Sequence, residues 1–360
     1  MKRAPRLALA IGLLQSLPAV VLATSTADPD RCAAGEFEFC LNGVTSGVVG
    51  RDAIRMTGAR VDGALKERER ENTGNATAQT GLAGQTGMAA GELGSGFGVW
   101  ASYNFSDFES ENGIAPYDGT MHSVLFGVDR MLTDRLLFGI SGGYERSSTD
   151  TFYNGGGGDG DGYTIAPYAA WLINDTFSVD AGGGYTTLDY EQDRIASNNG
   201  ARLAAEYDAD RWFAMANVNA IHTAGNATLG AHTGILWSQE THDAYVETGA
   251  STQIRTVGER LLGITQFSAG ADAGYSLGSF EPYGLVNYRH DLAQLRGLAA
   301  GGLPAGTGAT QSDDRDEFEA GIGVRYFGGR GLTGALEWLA TLGREEFDNH
   351  SLMLTLRLDL

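Results

Sequence analysis

The ten residues SLMLTLRLDL, Ser351 to Leu360, decide the fold class. Leu352, Leu354, Leu356, Leu358 and Leu360 fall on one face; Ser351, Met353, Thr355, Arg357 and Asp359 fall on the other. A strand alternates its side chains with period two, so this one has an apolar face and a polar, charged face. In a soluble sandwich the charged face meets water. In an outer-membrane barrel it looks into the lumen while the apolar face meets lipid.

The preceding residues repeat the pattern. Twelve strands are predicted, at 95–108, 118–131, 135–148, 161–173, 176–190, 209–222, 227–239, 261–276, 280–291, 315–327, 331–344 and 349–360. Alternate connections are short, at Leu132–Asp134, Asn174–Asp175, Thr223–Asn226, Leu277–Ser279 and Gly328–Arg330, as tight hairpins require. Most of the others, at 109–117, 149–160, 191–208, 240–260 and 292–314, are longer and polar, Gly-rich or Asp-rich; 345–348 is the short exception. Short turns on one rim and long loops on the other describe an outer-membrane barrel with the short turns on the periplasmic side. The polar faces carry Glu145, Asp272, Glu319, Arg325, Glu337, Arg357 and Asp359. A charge facing lipid costs a few kcal/mol near the midplane, so these seven are expected to face the lumen. Phe97, Phe105, Tyr144, Trp171, Tyr185, Tyr275 and Tyr326, near strand ends, suit interfacial girdles.

Composition agrees. Glycine makes up 53 of 360 residues, about twice the usual share of about 7%, which suits tightly curved sheet. After residue 23 no apolar run reaches the roughly 20 residues of a membrane helix. At the N-terminus, Lys2, Arg3 and Arg6 precede an apolar stretch from Leu7 to Leu22, and small residues follow up to Ala23. That is a secretory signal peptide, with cleavage expected near Ala23. Its removal takes three positive charges and moves the net charge from −20 to about −23. A polyanion without a basic stripe is no nucleic-acid binder. Cys32 and Cys40 lie in the exported part, where an oxidising compartment would let them pair.

Four zones follow: the signal peptide at 1–23, a short polar head at 24–43, a helix and linker at 44–94, and strands from 95 to 360. The helix is expected over Val48–Glu71. It carries eleven charges from Arg51 to Glu71, and its apolar positions form no wide stripe. A helix polar nearly all round is no core helix. Its length of roughly 30 Å matches the hydrocarbon thickness of a bilayer, and a twelve-stranded lumen could admit one helix as a plug.

The sequence resembles the translocator β-domain of classical (type V) autotransporters. The resemblance is carried by Gly98-Val99-Trp100-Ala101-Ser102-Tyr103, by Phe138 to Ser147, by Gly162 to Tyr185, by Glu281 to Tyr288, and by Gly323-Val324-Arg325-Tyr326. It covers roughly residues 50 to 360. It implies an all-β, twelve-stranded antiparallel transmembrane barrel with an N-terminal α-helix threaded through the lumen. It also implies a passenger displayed at the cell surface and assembly by the outer-membrane insertion machinery. Two departures stand out. The family usually ends in Phe or Trp, whereas this sequence ends in Leu360. Residues 24–43 are also too few for a β-helical passenger, so a very short displayed segment is expected. Some family members cleave themselves at an Asn-Asn pair inside the barrel; here Asn198-Asn199 falls in an expected outer loop, and no autocleavage is predicted.

No catalytic site emerges. His122, His222, His232, His242, His290 and His350 are scattered without metal-ligand spacing, and no GxSxG motif is present. The stretch Gly155–Gly162, with Asp159 and Asp161, is read as a mobile surface loop rather than a calcium loop, because one copy lacks stacked repeats. The expected protein is a non-enzymatic outer-membrane barrel needing no cofactor or metal. Its partners would be outer-membrane lipid, the insertion machinery and an unidentified surface ligand met by acidic loops. A small helix-plugged channel, or less favourably a lipase-like surface enzyme, are the alternatives.

Overall fold

The computed structural model describes residues 97–111, 116–133, 135–174, 176–299, 315–328, 331–344 and 347–360, with side chains left out at 294–299. The signal segment, the cysteine pair, the head and the expected helix lie outside the described residues.

Twelve long strands form the wall: β1 (Phe97–Ser110), β2 (Tyr117–Thr133), β3 (Leu136–Thr151), β4 (Gly156–Leu172), β5 (Phe177–Ile195), β6 (Arg202–Ala224), β7 (Ala227–His242), β8 (Arg260–Tyr275), β9 (Phe280–Ala299), β10 (Asp316–Phe327), β11 (Leu332–Leu342) and β12 (Phe347–Asp359). Each pairs antiparallel with its sequence neighbours, and β1 pairs with β12, so the sheet closes on itself. Closure satisfies every strand edge, which a wall in hydrocarbon requires.

Strands end and resume on either side of each of the five expected short turns. At one two-residue turn, Gly225 and Asn226 join β6 to β7, and Gly225 takes a φ of 63°, a conformation that side chains with a Cβ rarely adopt. On the opposite rim the strands run further than expected. Residues 156–162, read as a mobile loop, are the first part of β4, joined to β3 through residues 152–155 alone. Most of the expected loop 191–208 is strand as well, with only 196–201 between β5 and β6. The connection 243–259 contains three two-residue strands and lies against the β5–β6 tip. There Arg194 makes two hydrogen bonds to Glu247, at 2.7 and 2.6 Å, and Asn199 donates to the Ala250 carbonyl at 2.7 Å.

The glycines have a packing role. A Cβ at Gly323 would stand 2.5 Å from the Tyr283 ring, and one at Gly160 2.6 Å from the Tyr190 ring. Trp100 lies against Gly127 and Tyr168 against Gly139 in the same way. Large inward side chains therefore lie flat across glycines of the neighbouring strand, which is how a narrow lumen holds so many of them.

Candidate functional site: the inner wall of the barrel

The two faces differ in character. Phe126, Phe138, Ile165, Trp171, Ile322 and Leu356 are exposed on the outer surface, whereas 37 polar or charged residues are buried among the described positions. On the outside, rings from adjacent strands meet at one level: Tyr144 with Tyr163 at 5.3 Å, Tyr185 with Trp212 at 4.8 Å, and Tyr288 with Phe318 at 5.2 Å. Tyr144, Tyr185 and Tyr288 each donate to an aspartate two residues further out on the next strand, Asp161, Asp210 and Asp316 respectively. An apolar ring body with its hydroxyl turned to a carboxylate marks a lipid–water boundary.

Inside, ion pairs join neighbouring strands and also strands that are not neighbours. Near the short-turn rim, Arg357 of β12 reaches Asp129 of β2 at 3.2 Å. The Tyr168 hydroxyl donates to Asp129 at 2.8 Å, and the Trp100 indole N–H donates to Tyr168 at 2.7 Å. This network spans the seam where β1 meets β12. Across the lumen, Arg325 of β10 donates to Glu281 at 2.6 Å and to Asp272 at 3.2 Å. Its guanidinium carbon sits 3.7 Å from the centre of the Tyr283 ring, and the Tyr283 hydroxyl donates to Glu337 at 2.7 Å.

Toward the outer rim, Arg211 of β6 donates to Glu240 of β7 at 2.6 Å and to Glu145 of β3 at 2.7 Å. The second contact crosses β4 and β5. It is open because Glu145 stands opposite Gly162, and Tyr190, which also donates to Glu240, lies over Gly160. The glycine run read as a loop is thus the gap through which this ion pair forms. A further network joins Arg289, Glu317, Glu319, Arg344 and Asp291.

Of the seven charges picked from sequence, Glu145, Asp272, Glu319, Arg325, Glu337 and Arg357 are buried on the inner face. Asp359 is exposed at the rim and accepts a 2.5 Å hydrogen bond from Arg357. Sequence reading missed Asp129, Arg211, Glu240 and Glu281. Asp129 and Glu281 sit beside turns, and Arg211 and Glu240 were placed near or beyond a strand end, so period-two alternation had no run of residues there to act on.

Among the described strands, then, most buried positions of the interior are polar or charged, with apolar clusters between them, large apolar groups cover the exterior, and the ring is closed. These features define a twelve-stranded barrel of the bacterial outer membrane. The profile of the family described as autotransporter β-domain matches residues 94–338, and the chain belongs to this family. Among solved structures, the translocator domain of autotransporter NalP from Neisseria meningitidis superposes with a TM-score of 0.65. Its identity is 14%, covering 88% of this chain and 100% of that one. The β-domain of the Bordetella autotransporter BrkA gives 0.57 at 16% identity over 74% and 100% of the two chains. The transport unit of AIDA-I from Escherichia coli gives 0.53 at 17% over 81% and 99%. The search of curated proteins finds no match.

Proposed function

We propose that the barrel carries a very short N-terminal segment, residues 24–43, to the cell surface and anchors it there without catalysis. In this reading residues 48–71 occupy the lumen as a helix, and the insertion machinery assembles the wall. The observation that carries the reading is the inner wall of an autotransporter-family barrel. Near the short-turn rim Asp129, Asp180, Asp272, Glu281 and Glu337 line the lumen together with Arg325 and Arg357. A wall lined with this many carboxylates suits a threaded segment rich in arginine, such as the one from Arg51 to Arg70. The outer surface suits display of acidic loops. Asp161, Asp189 and Asp208 stand opposite one another on three adjacent strands, as do Asp159, Glu191 and Glu206. An epitope tag placed after residue 24 should be removed by protease added to intact cells. A tag that survives on cells and is cut only after lysis defeats the proposal.

The same charged wall favours a second reading, a channel closed by residues 48–71. In planar bilayers, deleting that segment should raise conductance sharply and make it cation-selective. Equal conductance with and without the segment excludes the channel.

A further inference from the structure

Over one stretch of the outer wall the side chains become short. Register sets Ala169 of β4 opposite Ala181 of β5, and Ala181 opposite Ala216 of β6. Larger residues border this row: Leu136 and Trp171 on one side, Ile235 and Phe267 on the other. The result is a groove of about 600 Å³. Asp180 and Asn217, on its floor, turn their polar groups inward to a mutual hydrogen bond of 2.7 Å, so the face offered to the membrane is apolar. The groove lies below the Tyr185–Trp212 ring pair, between that level and the short-turn rim.

At the rim, directly after the β2–β3 turn, stands Arg135. It is exposed, and its Nη1 donates to the Ile173 carbonyl at 3.3 Å. Leu136, its neighbour in sequence, pairs with Trp171 at the groove wall. A guanidinium has five N–H donors, and this bond uses one.

We propose that the groove holds one acyl chain of a glycerophospholipid of the periplasmic leaflet, with Arg135 binding the lipid's phosphate. Hydrocarbon is the solvent at this height, and a void between tall side chains forfeits dispersion contacts on its open side. A single chain restores them. The fork of an arginine suits a phosphate oxygen pair and fixes which end of the lipid lies at the rim. A second copy of the protein fits less well, because a two-fold contact would set one concave surface against another.

The test uses the full chain refolded in micelles with a phosphatidylglycerol whose acyl chain carries a photoreactive diazirine. Label should concentrate on β4 to β7. It should fall about ten-fold in A181F/A216F, a loss of about 1.4 kcal/mol in binding. It should be unchanged in A320F, an outward alanine on β10. R135Q should lower capture of the phosphatidylglycerol probe while leaving a diacylglycerol probe with the same chain unaffected. Heat-dependent gel mobility checks that each variant is folded. Label spread evenly round the barrel, equal labelling of the filled variant, or a dimer cross-linked through the groove overturns the acyl-chain site. Equal capture by R135Q overturns the phosphate contact.

Discussion

The wall of β6 has two halves that obey opposite rules. From Ala220 up to Trp212 its outward side chains are apolar, with Ala220, Val218, Ala216, Ala214 and Trp212 in sequence. Beyond Trp212 they are Asp210, Asp208 and Glu206, while the inward positions become Ala209, Tyr207, Ala205 and Leu203. β5 turns over at the same level, with Leu188 and Tyr190 buried inside and Asp189 and Glu191 outside. The upper inward residues form their own cluster, in which Tyr207 stacks on Tyr245 at 4.7 Å. One continuous strand thus behaves as membrane barrel below and as soluble sheet above. The inversion at Arg211–Trp212 shows where lipid gives way to water on the outer surface, because only the solvent outside has changed.

Four substitutions probe that boundary. The largest effect is expected from Arg211→Met at the switch itself, which leaves Glu240 and Glu145 buried without their cation. Removing one partner of a buried pair costs about 3–5 kcal/mol, and urea titration of the protein in vesicles should show it. Ile322→Lys, midway between the Phe318 and Tyr326 levels on the lipid side, should cost about 2–4 kcal/mol in the same assay. An effect under about 0.5 kcal/mol would mean that β10 does not cross hydrocarbon there. Gly323→Ala, beneath Tyr283, should cost about 1–3 kcal/mol through overpacking and lower the temperature at which the folded gel band disappears. Glu206→Lys, above the switch, is expected to change stability by no more than about 0.5 kcal/mol, in the favourable direction, since it relieves the like charge of Glu191 directly opposite. A large loss there would place lipid above the inversion.

The same inversion explains what could be read from sequence. The lipid-facing half of each strand was legible, because hydrocarbon imposes a strict apolar period and the short turns demand Gly, Asn or Asp. The upper halves were not. In Arg202–Asp210 the alternation is equally regular, but its polarity is reversed, so a search for outward apolar positions starts the strand too late. Gly156–Gly162 offers almost no side chains to alternate, and its role appears only once Glu145 and Tyr190 are seen lying across it. Cross-lumen partners such as Arg211 and Glu145, 66 positions apart, depend on ring closure, which no local pattern encodes.

The seam between β1 and β12 imposes an order of events. It runs from Gly98 opposite Asp359 to Ser110 opposite Phe347, and the Trp100–Tyr168–Asp129–Arg357 network lies across it. Within it, Arg357 meets Asp129, 228 positions away, only when the two ends of the sheet come together. Contacts at such separation form late, because loop closure must come first. An opened barrel would hold two unpaired edges and would part Arg357 from Asp129, leaving it only the rim carboxylate of Asp359. The β1–β12 pairing is therefore the contact of longest range in the wall, and the side chains that record it are Arg357 and Asp129.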